Sequence, residues 1–232
     1  MAMSIWNDLW EFFFPRCCVV CGTRLLKEEE HVCVKCLAGL PRTCLHRRPE
    51  NDMEKAFWGK LPIVRASAYF YYSKGGDVRR LLYELKYYGN HRIGRFLGRC
   101  MAADLQRDGF FQGIDGIIPV PLHEKKKRKR GYNQSEMLAE GISSVVAIPV
   151  LRDLLVRSQQ AESQTRKGSY ERWVNVKDVF ECVAAGELEG KHILLVDDVM
   201  TTGATLVACA DALSGVSGLR ISILTLALAG ES

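Results

Sequence analysis

The chain has 232 residues, of which 47% are hydrophobic and 25% are charged, and its formal net charge is +5. This composition is typical of a globular protein with one large domain, or one domain and a small module. No stretch approaches the ~18 apolar residues of a membrane span, and the mild basic excess suits phosphate-bearing ligands or nucleic acid without choosing between them.

The first residues are apolar but carry two acids. Residues 6–14 contain Asp8 and Glu11 and lack a basic leader, which makes this stretch a poor signal peptide. We therefore expect a cytoplasmic protein. One face of a helix here would carry Ile5, Trp6, Leu9, Trp10 and Phe13, and we expect it to pack on the protein's own domain rather than on a membrane or a partner.

Six of the nine cysteines precede residue 45. Two Cys-x2-Cys pairs among them can present four thiolates tetrahedrally to one zinc ion, and such a closed site is structural rather than catalytic. A module this short also needs a bound metal or another cross-link for stability, because its hydrophobic core is too small. The predicted ligands are Cys18, Cys21, Cys33 and Cys36, with Cys17 as an alternative to Cys18 and His31 as a substitute for one thiolate.

Further along the chain, short apolar runs typical of strands alternate with helical apolar patterns. Strands are predicted at 65–72, 114–120, 148–151, 193–196 and 219–228, and helices around 78–85, 93–105, 135–145 and 206–213. This alternation predicts an α/β fold with a mainly parallel sheet and ligands at its carboxyl edge. The predicted divisions are a helix and zinc module at 1–48, a polar linker at 49–62 and a main domain at 63–232.

A basic stretch leaves the second of these strands. Residues 119–134 read Pro-Val-Pro-Leu-His-Glu, then six consecutive basic residues, then Gly-Tyr-Asn-Gln. Such a run usually forms only a solvated face, but the prolines and Gly131 indicate a shaped loop rather than a tail. Its cations are therefore expected to reach a ligand at the sheet edge.

The most informative stretch is residues 193–205, Ile-Leu-Leu-Val-Asp-Asp-Val-Met-Thr-Thr-Gly-Ala-Thr. A buried strand is followed by two acids, and then by a hydroxyl-rich turn at the start of a helix. Orphan N–H groups and the helix dipole make that turn an anion site, where Gly203 lets a phosphate approach closely. Asp197 and Asp198 must then face hydroxyls or a divalent cation, so a sugar phosphate with a free diol fits both halves.

This stretch resembles the phosphoribosyl-pyrophosphate loop of type I phosphoribosyltransferases. With Pro-Val-Pro-Leu-His at 119–123, Arg-Gly-Tyr-Asn-Gln at 130–134 and Leu-Lys-Tyr at 85–87, the chain is similar to the ComF family. A last matching segment contains Gln164, Thr165, Arg172, Asn175 and Phe180. The resemblance implies a type I phosphoribosyltransferase-like sheet flanked by helices, with a small N-terminal zinc-ribbon-like module.

The resemblance also implies roles for single residues. Asp197 and Asp198 would hold the ribose 2′- and 3′-hydroxyls, residues 201–205 would cradle the 5′-phosphate, and Mg²⁺ would bridge the ribose and the pyrophosphate. The catalytic candidates are Asp197, Asp198, Arg130 and Lys86, although Lys86 fits equally well as an ordinary helix-end lysine. The remaining ligand-binding candidates are Val199, Met200, Thr201, Thr202, Gly203, Ala204, Thr205, Pro121 and Leu122, with Arg157 or Arg166 closing over the ligand.

The implied reaction is displacement of pyrophosphate from C1 of the ribose by a nitrogen nucleophile, in a protein linked to DNA uptake. Two alternatives stay open: a non-catalytic sensor of a phosphoribosyl compound or nucleotide, and a single-stranded nucleic-acid-binding accessory that meets DNA-uptake proteins. A homodimer is compatible with each.

Three departures from related sequences qualify this picture. Thr201 stands where hypoxanthine-type enzymes carry a carboxylate, which argues against 6-oxopurine salvage. Cys44 is not followed by a second cysteine, which argues against a second metal site, and Arg166 with Lys167 leaves the acceptor open.

Overall fold

The computed structural model describes residues 15–87, 89–157 and 179–230. Its α-helices are α1 (Val34–Gly39), α2 (Asp52–Lys55), α3 (Asp77–Tyr87), α4 (His91–Gln106), α5 (Glu124–Arg130), α6 (Gln134–Val146) and α7 (Ala204–Leu213). Its strands are β1 (Arg65–Tyr72), β2 (Gly116–Pro119), β3 (Leu155–Arg157), β4 (Phe180–Cys182), β5 (His192–Met200) and β6 (Arg220–Ala229), and short 3-10 turns lie at Leu45–Arg47 and Ala185–Leu188.

Four strands form one parallel sheet in the order β1-β6-β5-β2. The predicted mainly parallel sheet flanked by helices is therefore confirmed. The strand expected at 148–151 is reduced to one bridge between Val150 and Ile117. The sequence patterns missed the antiparallel pair β3-β4, because its strands have only three residues each and show no periodicity.

Both faces of the sheet are covered. Along β5, Leu194 and Val196 face the cluster that includes α3, α4 and α6, whereas Ile193 and Leu195 face the cluster that includes α7. The strand alternates sides because successive side chains of a strand point in opposite directions. The buried residues of β5 therefore fix the position of Asp197 and Asp198, which follow them along the strand.

The cysteine-rich segment shares its core with the sheet domain. Cys18, Val20 and Val32 are buried in the same cluster as Val78 and Leu81 of α3. Residues 41–43 also lie along the free edge of β1: the Thr43 N–H donates to Tyr69 O at 3.1 Å, and the Tyr71 N–H donates to Pro41 O at 2.9 Å. This pairing covers an exposed strand edge.

The segment expected to be a linker is packed and ordered. Asn51 caps α2, and its Nδ2 donates to Ala66 O of β1 at 3.0 Å. Met53 and Phe57 are completely buried, beneath the sheet face that carries α7. The apolar residues Met53 and Phe57 thus attach this mostly polar segment to the sheet. The domain boundaries proposed at 48 and 62 stay a prediction.

Two local predictions were wrong. The basic stretch is helix α5 rather than an irregular loop, because lysine and arginine are good helix formers and the segment has both ends capped. His123 Nδ1 accepts the Lys125 N–H at 3.1 Å, and Gly131 ends the helix with φ +81°. The strand before the acids also continues to Met200.

Two further features concern membranes and the N-terminus. In the ranges that the structure describes, no helix is long and apolar enough to cross a bilayer. The amphipathic helix expected at 5–13 lies outside those ranges.

Candidate functional site

The two acids stand at the carboxyl edge of the sheet, as predicted. Strand β2 pairs with β5 only as far as Pro119 opposite Val196, whereas β6 continues to pair with β5 up to Met200. Asp197 and Asp198 therefore lie in strand conformation with one side of the backbone no longer covered by a neighbouring strand. The continued pairing with β6 is the reason that β5 does not end before them.

The Asp197 carboxylate is held from two directions. Its Oδ1 accepts the Ser135 Oγ–H at 2.9 Å and the Asp198 N–H at 2.8 Å. Burial and the neighbouring Asp198 carboxylate raise the pKa of Asp197 to about 7. A buried acid with a raised pKa beside a second acid is typical of functional sites.

Lys86 reaches the second acid. It lies in the last turn of α3, and its Nζ is 2.8 Å from Asp198 Oδ2, with both side chains largely shielded from solvent. The lysine therefore belongs to the same cluster as the acids. Its predicted catalytic role stays a prediction.

Replacing Asp197 by Asn is expected to stabilise the fold by about 1 to 3 kcal/mol at pH 8, since the asparagine Oδ1 keeps both hydrogen bonds without a buried charge. The native state holds its proton up to a higher pH than the unfolded chain does, so wild-type stability falls as pH rises from ~4 to about 7. The gain should therefore be small at pH 4.5 and large at pH 8. Denaturant unfolding at both pH values measures it, with Asp211→Asn as the control, and an equal gain at both pH values would contradict the assignment.

The turn after β5 leads into the N-terminus of a helix. Thr201, Thr202 and Thr205 are exposed, Gly203 adopts φ +78°, and α7 starts at Ala204. The first N–H groups of a helix have no intrahelical partner and carry its positive dipole end. An anion seated here would meet backbone N–H groups and threonine hydroxyls together.

The residues after β2 frame the same edge from the other side. Pro121 and Leu122 are partly buried between β2 and α5. Asn133 caps α6 and donates from Nδ2 to Val120 O at 2.9 Å, which places Ser135 against Asp197. The motif at 130–134 thus positions a residue that the sequence reasoning did not single out.

Arg130 is tied to α3 and α6 rather than to the acids. A guanidinium nitrogen donates to Gln134 Oε1 at 2.7 Å, and its Cζ lies 5.4 Å from the Tyr87 ring centroid. Tyr132 Oη donates to Leu85 O at 2.7 Å. Gln134 Nε2 is buried without a hydrogen-bond partner among the residues that the structure covers, so it is a donor available to a further group.

Most of the last matching segment, with Arg166, which is predicted to close over the ligand, is not described by the structure. Gln164, Thr165, Arg166, Arg172 and Asn175 lie outside the described residues. Arg157, at the end of β3, has its guanidinium 5.5 Å from the Phe180 ring centroid.

The four predicted cysteines form one cluster. The sulfur atoms of Cys18, Cys21, Cys33 and Cys36 all lie within 4.8 Å of one another. The Cys33 N–H points at Cys18 Sγ at 3.3 Å, and the Cys36 N–H points at Cys33 Sγ at 3.5 Å. Four converging sulfurs with N–H donors behind them fit the thiolate ligands of a structural zinc site.

Comparison with known proteins agrees with this architecture. Residues 133–232 match the phosphoribosyl transferase domain. Competence protein F of Haemophilus influenzae is 28% identical over 197 residues, which cover 83% of this chain and 76% of that protein. DNA utilization protein YhgH of Escherichia coli K12 is 27% identical over 200 residues, which cover 84% of this chain and 83% of that protein.

Two other similarities are partial. Competence protein ComFC of Bacillus subtilis is 33% identical over 93 residues, 39% of this chain and 34% of that protein. Among solved structures, the glutamine phosphoribosylpyrophosphate amidotransferase of Bacillus subtilis aligns with a TM-score of 0.42 and 19% identity over 61% of this chain and 30% of that chain. The chain is therefore similar to competence protein F and YhgH over most of its length, and its C-terminal part matches the phosphoribosyl transferase domain.

Proposed function

We propose that the chain binds 5-phosphoribosyl 1-pyrophosphate with Mg²⁺ at this edge and transfers the phosphoribosyl group to a nitrogen acceptor, with release of pyrophosphate. The observation that carries the proposal is the adjacency of two features on one continuous segment. A shielded pair of acids is followed, two residues later, by a turn that exposes Thr201 and Thr202 and contains Gly203 at a helix start. A ribose with a diol at one end and a phosphate at the other spans such a pair.

The residues of the chain would divide the work. Asp197 and Asp198 would accept hydrogen bonds from the two ribose hydroxyls, and the turn at 201–205 would donate to the 5′-phosphate. Lys86 and Arg130 are the nearby cations that would stabilise the negative charge that develops on the pyrophosphate as it leaves. Bound Mg²⁺ would supply neutralisation of the pyrophosphate oxygens.

In the resting arrangement Lys86 neutralises Asp198, at 2.8 Å. A cation that binds Asp198 in place of Lys86 would release the lysine toward the phosphates. Because this exchange keeps every charge paired, it avoids leaving an isolated buried ion.

Calorimetric titration tests binding first. The wild-type protein should bind phosphoribosyl pyrophosphate in a Mg²⁺-dependent manner, and ribose 5-phosphate more weakly. Release of pyrophosphate on adding nitrogen acceptors would then identify an enzyme, whereas binding with no turnover across a panel of acceptors would identify a sensor. Absence of any binding would overturn both readings.

The cysteine cluster is proposed to hold one zinc ion as a structural metal. Four thiolates are the donor set that zinc prefers, and free thiols are kept reduced in the cytoplasm, where we propose that the protein acts. Metal analysis should find about one zinc per chain.

A second candidate function is binding of single-stranded nucleic acid, favoured by a row of exposed cations and rings. Arg79 Cζ lies 5.1 Å from the Tyr83 ring centroid, the Tyr83 and Tyr87 centroids are 5.3 Å apart, and Arg130 closes the row. Beside it α5 exposes five consecutive basic residues at 125–129. Single-stranded nucleic acids are bound by aromatic rings that stack on the bases and by cations that contact the phosphate backbone, and two relatives are named competence protein F and DNA utilization protein YhgH.

The row makes a quantitative prediction for an oligothymidylate. Replacing Tyr83 and Tyr87 together by Ala should weaken binding about tenfold or more, because each stacked base contributes ~1 to 3 kcal/mol. Binding should also fall steeply with salt. Tyr71→Ala is the control, because Tyr71 is as exposed as Tyr83 but lies outside the row. A salt-independent affinity, or equal losses in both variants, would contradict this function.

A further inference from the structure

The turn at 201–205 rests on a side chain from a distant part of the chain. A Cβ built at Gly203 would lie 3.1 Å from Met200 Cε and 3.4 Å from Phe57 Cε1. The Met200 methyl group and the Phe57 ring therefore both lie against Gly203, with no room for a side chain between them and the turn. Phe57 is completely buried and belongs to the segment between the cysteine cluster and β1.

Phe57 is itself held rigidly. Asn51 accepts the N–H groups of Met53 and Glu54 at 3.0 and 3.1 Å, and its own Nδ2 donates to Ala66 O of β1. Glu54 Oε1 accepts the Ala66 N–H at 3.2 Å. The short helix before Phe57 is thus hydrogen-bonded to the same sheet that carries the acids. The position of the Phe57 ring relative to Asp197 is therefore fixed.

We infer that Phe57 is a positioning residue of the ligand site: it forms the floor that sets the distance between the turn at 201–205 and the two acids. This inference rests on the proposed function and deepens it. A ligand that bridges the acids and the turn needs a fixed spacing between them, and a displacement of about 1 Å can cost roughly 100-fold in such a site. Phe57 would act through Gly203 and would not touch the ligand.

Replacing Phe57 by a smaller side chain tests its positioning role. Phe57→Leu removes part of the ring beneath Gly203 and should weaken binding of ribose 5-phosphate about tenfold or more. Phe57→Met, which refills the gap with a flexible chain, should recover most of the lost affinity. Leu188→Ala is the control, because Leu188 is equally buried in the same cluster but lies in the 3-10 turn at Ala185–Leu188, away from the ligand turn.

The readout is the calorimetric dissociation constant in Mg²⁺ buffer, measured beside the unfolding midpoint of each variant. Support would be a loss of affinity in Phe57→Leu that Leu188→Ala does not share at a comparable fall in midpoint. Equal dissociation constants for these two variants would overturn the role of Phe57 and leave the proposed function intact. Failure of the wild-type protein to bind either ribose 5-phosphate or phosphoribosyl pyrophosphate would instead overturn the proposed function itself.

Discussion

Replacing Cys18 by Ser is expected to abolish zinc binding and to lower the free energy of unfolding by more than about 3 kcal/mol. Cys18 is the one buried member of the cysteine cluster, at 2% exposure, and its sulfur also accepts the Cys33 N–H. Its neighbours Val20 and Val32 pack in the same core as α3. The damage should therefore extend to the helix that carries Lys86.

Metal content and hydrogen exchange measure this effect. Exchange should accelerate along residues 16–40 and along α3 together, because the two share one hydrophobic cluster. Cys17→Ser is the matched control: Cys17 is the adjacent cysteine, is exposed, and is not part of the cluster. If Cys18→Ser keeps its zinc, or is as stable as Cys17→Ser, the structural role of the cluster is contradicted.

Replacing Gly203 by Ala is expected to weaken binding of phosphoribosyl pyrophosphate by about 100-fold or more, with a loss of only about 1 to 2 kcal/mol in stability. The residue adopts φ +78°, which an alanine tolerates poorly, and the new Cβ would lie 3.1 Å from Met200 Cε and in contact with the Phe57 ring at 3.4 Å. Both effects lift the turn away from its floor. The glycine is thus required by the packing below the turn, in addition to any close approach of a phosphate above it.

Gly215→Ala controls for the substitution itself. That glycine follows α7, and a Cβ placed there meets no atom within 4 Å. Titration calorimetry on both variants gives the comparison. Similar dissociation constants for Gly203→Ala and Gly215→Ala would separate the turn from ligand binding.

Much of the sheet domain could be predicted because its patterns are local. Strand β1 and the helices α3, α4 and α6 follow from apolar periodicity and from stop signals such as Gly89, and the acids follow from their place after a buried run. The cysteine cluster follows from spacing alone. These features need no knowledge of what lies across the molecule.

What could not be predicted depends on contacts between distant residues. The segment at 49–62 is polar in composition, yet Phe57 packs against Gly203, which is distant in sequence. No local sequence pattern predicts this contact. Ser135 likewise gains its role only when α6 starts beside β5 and its hydroxyl reaches Asp197 at 2.9 Å. The basic stretch was misassigned because its charges obscured the helix signals at His123 and Gly131.

The most direct measurement is a titration of phosphoribosyl pyrophosphate in Mg²⁺ buffer, comparing the wild-type protein with Asp197→Asn/Asp198→Asn. We expect saturable binding by the wild type and a loss of at least about 100-fold in the variant, because two charge-assisted contacts disappear. The variant should keep the wild-type circular dichroism spectrum, which shows that it is folded. An unchanged dissociation constant would contradict the assignment of these acids to the ribose.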